Sequence, residues 1–188
     1  MLSVDGLYDW FAENSHAGLI IQERLFNHPN ISLCNRSPGL CTLRVNTFLD
    51  GKKPGPSLLF YIMKIPVGGN VTDNFSMGTS GNLIAFGDHD SGVLRGARAL
   101  HPSGAGLATI RSHPDSGHDI DGYAIPMWHE AVELARHAHV FFREFGTLGW
   151  DMAVTERGPV ILEANPWWDP PLYAPQIMTR ENWQRIFG

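Results

Sequence analysis

The chain predicts an α+β fold, a mixed or antiparallel sheet flanked by helices, and three observations carry that expectation. Short apolar or alternating runs recur in pairs around polar turns: residues 41–49 with 57–65, 82–86 with 93–100, and 151–155 with 160–163. One long stretch, from Pro126 to about Phe145, repeats its apolar residues at helical spacing. The 188 residues are 43% hydrophobic and 18% charged, which suits a buried core of ordinary domain size and excludes disorder. Residues 1–188 are expected to form one domain.

Taken in order, residues 5–17 carry Leu7, Trp10 and Phe11 on one helical face, with Gly18 as a C-cap. Residues 19–25 read as a strand whose apolar start turns polar. Either it is an edge strand leaving the sheet, or it is a hinge whose backbone reads an adenine edge while Glu23 meets ribose. In the strand over 41–49, Arg44, Asn46 and the threonines share the run with apolar neighbours. The next strand, over 57–65, ends near Lys64. Antiparallel pairing would turn Arg44 and Lys64 toward one pocket, where two cations suit a triphosphate; two solvated edge charges are the simpler alternative.

The Gly-rich stretches around residues 66–70 and 77–81 contain no phosphate-loop pattern and read as turns or a flap. Asp88-His89-Asp90-Ser91-Gly92 is a polar turn inside a hairpin, and residues 101–123 form a long loop carrying His113 and His118. Two histidines without a third ligand at suitable spacing make a weak zinc signal. The helix from Pro126 presents Trp128, Ala131, Val132, Ala135, Ala138, Phe142 and Phe145 to the core and leaves His129, Glu133 and His137 on its solvent face. Thr179 caps a last helix containing Trp183 and Ile186.

Chemistry concentrates in residues 149–169. If the two strands there pair, Asp151 lies opposite Glu163 or Asn165, so two carboxylates and an amide oxygen converge, a donor set suited to magnesium. Glu163 and Asn165 flank Ala164 and so share one face of an extended chain. A competing possibility makes Asp151 and Glu163 the paired carboxylates of a glycoside hydrolase, with Trp167 and Trp168 as sugar platforms.

Global properties narrow the partners. A formal net charge of −5 with no basic block argues against a nucleic-acid backbone. No leader and no apolar run near the ~20 residues of a bilayer span are present, so a soluble protein without membrane insertion is expected. Two cysteines, Cys34 and Cys41, are a poor disulfide framework and favour reduced thiols in a cytoplasmic protein.

The ordered set Ile21-Gln22-Glu23-Arg24-Leu25, Thr42-Leu43-Arg44-Val45-Asn46-Thr47, Gly149-Trp150-Asp151 and Leu162-Glu163-Ala164-Asn165 resembles the C-terminal portion of an ATP-grasp protein. It is most similar to the sugar-transfer associated ATP-grasp family, in which the His113-Pro114-Asp115 loop and the Ile125-Pro126 helix start also recur. The resemblance implies magnesium ligands at Asp151, Glu163 and Asn165, adenine or ribose contacts at Gln22, Glu23 and Leu25, and phosphate-binding cations at Arg44 and Lys64. It implies ATP and Mg2+ as cofactors and a carboxylate–amine or carboxylate–thiol ligase acting through an acyl-phosphate. The substrates would be a small carboxylate and an amine or sugar-linked molecule in polysaccharide or cell-surface sugar metabolism, with homo-oligomerisation left open. ATP-grasp proteins hold nucleotide between two lobes, and residues 1–18 are too short for the first. They read as its remnant, so the alternative is a truncated, non-catalytic nucleotide-binding or partner domain, unless that lobe is supplied.

Overall fold

Residues 42–49 alternate so that Leu43 and Val45 face one way and Thr42, Arg44 and Asn46 the other, and the sheet is built around that division. The computed structural model describes residues 3–14, 22–34, 36–51, 53–171, 174–175 and 177–187. Two helices, α1 (Val4–Asn14) and α2 (Pro29–Cys34), precede β1 (Thr42–Leu49) and β2 (Pro56–Ile65). Then come β3 (Leu83–Gly87), β4 (Leu94–Leu100), β5 (Leu107–Ile110) and α3 (Trp128–His139). β6 (Thr147–Thr155), β7 (Gly158–Asn165) and α4 (Arg180–Phe187) complete the order. The seven strands run β5-β4-β3-β2-β1-β6-β7, and every neighbouring pair is antiparallel, which settles the mixed-or-antiparallel expectation.

The two faces of the sheet bury different things. Leu43, Val45, Tyr61, Met63, Trp150 and Met152 pack under Trp128, Ala131 and Ala135 of α3. Burial of each large apolar side chain there contributes about 1.5–3 kcal/mol. On the other face Phe48, Phe60, Ile62, Ile84 and Phe86 meet Ala174, Ile177 and Met178, with Trp183 and Ile186 of α4 packed against them. Thr179 caps α4 as expected, its hydroxyl accepting from Asn182 N at 3.2 Å. That C-terminal cover stops short of Thr42, Arg44 and Lys64, so the polar end of this face stays open.

Several expectations are corrected. Residues 22–28 have no regular secondary structure, so the hinge strand is not a strand where it is described; residues 19–21, and Gly18 as a C-cap, lie outside the described residues. Helix α1 ends at Asn14 and buries none of its residues. The predicted long loop contains β5, four residues too brief to show a period, which form a strand by pairing with β4. The long helix stops at His139 rather than Phe145: Val140, Phe141 and Phe142 each donate three residues back, a tightened exit that leaves Phe141 and Phe142 exposed. Its outward face is as expected, with His129, Glu133 and His137 exposed. Cys41 is a free, buried thiol, and the side chain of Cys34 lies outside those described.

Candidate functional site

Two rows of side chains cross the open face. Arg44 on β1 is opposite Asp151 on β6, which is opposite Glu163 on β7; two residues along, Asn46 is opposite Gly149, which is opposite Asn165. On the far side of β1, Thr42 is opposite Lys64 of β2. A bulge makes the rows possible. Met152 pairs with Ile161 while Asp151 pairs with Glu163, so Leu162 is an extra residue that flips the alternation. Ile161 thereby stays with the core while Glu163 turns to the open face.

The row is held by alternating charge. Arg44 Nε and NH2 donate to Asp151 Oδ1 and Oδ2 at 2.5 and 2.7 Å, a two-point contact. Lys64 Nζ lies 3.4 Å from Asp151 Oδ1 and 2.7 Å from Asp73 Oδ2, which also accepts from the Thr42 hydroxyl. Burial opposes the Asp151 charge, but the Arg44 hydrogen bonds and the nearby Lys64 outweigh it and hold the carboxyl below its usual range. Burial likewise opposes the Arg44 charge, and Asp151, Glu163 and Asp73 more than offset it, so its pKa is raised. A carboxyl kept ionised in this way is unsuited to the acid role that a glycoside hydrolase requires.

Asp73 reaches the row from the loop between β2 and β3. The buried Asn82 shapes that loop, donating to Thr72 O and Asn74 O at 2.8 and 2.9 Å and accepting from Val67 N at 3.1 Å. Asp115 accepts from Gly68 N at 2.6 Å, and the buried His113 contacts Pro66 O through Nε2 at 3.1 Å. The His113-Pro114-Asp115 segment therefore anchors the Gly-rich loop, and among the described residues no group of three or more His, Cys, Asp or Glu is placed to hold a metal.

The predicted residues fall into two groups. Asp151, Glu163, Arg44 and Lys64 come together, with Asn165 one row away. Gln22, Glu23 and Leu25 line a cleft of about 900 Å³ together with Leu40, Leu162 and Glu163, so they share a wall with the row although they are not a strand. Glu23 is paired with Arg157 at 2.7 Å, both well exposed. Trp167 is 94% exposed, whereas Trp168 packs edge-on against Phe60 at 5.4 Å and donates to Thr147 Oγ1 at 3.2 Å. Asp73 and Thr42 were not foreseen as site residues, because the partner that joins them comes from a loop 31 residues away.

The oxygens of Asp151, Glu163 and Asn165 suit magnesium, and Asn165 Nδ2 is buried with no partner among the described residues, so the donor set fits such an ion. Both Asp151 oxygens are engaged by Arg44, and one must be released for the carboxylate to serve as a ligand.

A family model described as sugar-transfer associated ATP-grasp matches residues 4–184. The chain belongs to this family. As an ATP-grasp protein it is an ATP-using, ligase-type domain related to sugar transfer, and its α+β antiparallel sheet agrees with a partial ATP-grasp-like fold. No curated protein and no solved structure match the chain. Among the described residues, no helix is long and apolar enough to cross a membrane.

Proposed function

We propose that this ATP-grasp chain is a magnesium-dependent carboxylate ligase. The γ-phosphoryl of ATP passes to a substrate carboxylate, giving ADP and an acyl-phosphate. An amine or thiol then attacks the acyl carbon, phosphate leaves, and the nucleophile sheds its proton. The observation that carries this reading is the Arg44–Asp151–Glu163 row, flanked by Lys64 and opening beside the cleft lined by Gln22, Glu23 and Leu25. Bound magnesium would offset charge on the phosphates, and Asp151, Glu163 and Asn165 are the residues to hold it. Arg44 and Lys64 bind phosphate oxygens as fixed cations. The cleft beside Leu25 and Leu40 takes the base, and Glu23 accepts from ribose hydroxyls once released from Arg157. No side-chain nucleophile is needed. The family description supports substrates from polysaccharide or cell-surface sugar metabolism.

The two-point Arg44–Asp151 contact favours a second reading, in which the chain binds nucleotide without turning it over. Calorimetry of ATP and ADP with and without magnesium, followed by phosphate release with small carboxylate and amine donors, separates the two. Magnesium-dependent binding with release supports the ligase, and binding without release supports the second reading. Absence of binding under all conditions removes both.

A further inference from the structure

Asn46 is fully buried, and neither atom of its amide has a hydrogen-bond partner among the described residues. Such a group in a sheet interior is costly unless protein or ordered water meets it. Across the sheet from it, beyond Gly149, Asn165 has the same deficit at Nδ2. Gly149 leaves the space between them open: a Cβ there would lie 3.2 Å from Asn46 Nδ2, from Arg44 Cδ and from Trp168 Cβ. Trp168 is pinned over this point by Phe60 and Thr147, and Phe60 is the β2 residue opposite Asn46. The space is thus closed from bulk solvent, polar on two sides and bounded by side chains. Adjacent strands are about 4.8 Å apart, so both amides flank Gly149 within reach of a bridging water.

We propose that ordered water above Gly149 links Asn46 to Asn165, and that Asn46 is a positioning residue for the site. The water accepts from Asn165 Nδ2. That fixes the rotation of the Asn165 amide and turns Oδ1 away from the water, toward the side of Asp151 and Glu163. Asn46 supplies both a donor and an acceptor to the same water network, which accounts for an amide, rather than a hydroxyl or an apolar residue, in the middle of β1. The consequence for magnesium rests on the proposed function; the water link does not.

The test uses the ligand-free protein first. A high-resolution crystal structure should show water within hydrogen-bond distance of both Asn46 and Asn165. Asn46→Leu removes the polar pair at similar volume, and Gly149→Ala fills the space with one methyl. In both variants the side-chain amide NMR signals of Asn165 should shift and exchange faster with solvent. Magnesium-dependent ADP binding should weaken roughly 10- to 100-fold in Asn46→Leu, as for other residues that orient a metal ligand, and that loss should vanish in an Asn165→Ala background. A dry space, or Asn165 signals unmoved in both folded variants, overturns the link. Equal losses with and without Asn165 overturn the positioning role. A wild-type protein that binds no magnesium nucleotide refutes the proposed function, while the crystal and NMR results still decide the water link.

Discussion

Asp73 and Asp151 share one ammonium group: Lys64 Nζ lies 2.7 Å from the first carboxylate and 3.4 Å from the second. Asp151 belongs to the sheet, while Asp73 arrives on a loop and occupies the place that an incoming anion would take beside Lys64 and Thr42. Asp73→Asn keeps the shape and removes the competing charge. Affinity for inorganic phosphate or ATP should rise roughly two- to fivefold, the worth of a part-exposed ion pair. Calorimetry checks this, and unchanged or weaker binding would show that Asp73 does not compete for the cation.

Arg44→Lys tests whether the two-point contact matters beyond charge. A lysine keeps the charge but not the planar fork. Loss of the charge-assisted bonds should cost roughly 1.5–3 kcal/mol in unfolding free energy. The Asp151 pKa is depressed, so its contribution is complete above the unfolded carboxyl value of about 3.9 and is lost as pH falls through the folded one. The stability gap between wild type and Arg44→Lys should therefore narrow on acidification below about pH 4. Denaturant titrations across that range, with the Asp151 carboxyl carbon followed by NMR, measure both effects.

Glu163→Gln removes a carboxylate that is exposed and opposes Asp151 across the hairpin. It should leave the melting temperature within a degree or two, since surface changes of this kind cost under about 0.5 kcal/mol. Magnesium-dependent nucleotide binding should nevertheless fall by roughly tenfold or more if the residue is a metal ligand. Equal affinity in the presence of magnesium would move the ion elsewhere.

Much of this was legible in the sequence because it depends on period and turn chemistry. Residues 151–165 contain two alternating runs around Glu156 and Arg157, and that alone places Asp151 near Glu163. The bulge at Leu162 was not legible: unbroken alternation would put Ile161 and Glu163 on one face, and only tertiary packing separates them. Asp73 was hidden for a related reason. Its role depends on Asn82 folding the Gly-rich loop back over β1, a set of side-chain-to-backbone bonds that no local pattern announces. The end of α3 was misplaced because Phe142 and Phe145 continue the apolar spacing after the chain has already left the helix.

His139, read as neither core nor site, is the buried histidine that ties α3 to the sheet. Its Nε2 faces the Phe145 carbonyl at 2.9 Å, so that nitrogen carries the proton. Nδ1, 2.7 Å from Thr47 Oγ1, then accepts, and Thr47 in turn accepts from Trp150 Nε1 at 2.8 Å. Protonating Nδ1 would set a donor against a hydroxyl already committed as a donor. Burial lowers the His139 pKa, only partly offset by the Phe145 hydrogen bond. The folded state thus favours neutral imidazole, whereas the unfolded chain takes up a proton near pH 6.5. Stability from this group is present above about pH 6.5 and declines as pH falls toward the lower folded value. The wild-type melting temperature should drop between pH 7.5 and pH 5.5, and His139→Gln should flatten that slope while costing roughly 1–3 kcal/mol at neutral pH through unpaired buried groups. Comparing the slopes of the two proteins isolates His139 from the other eight histidines. Parallel slopes would assign the acid sensitivity to another group.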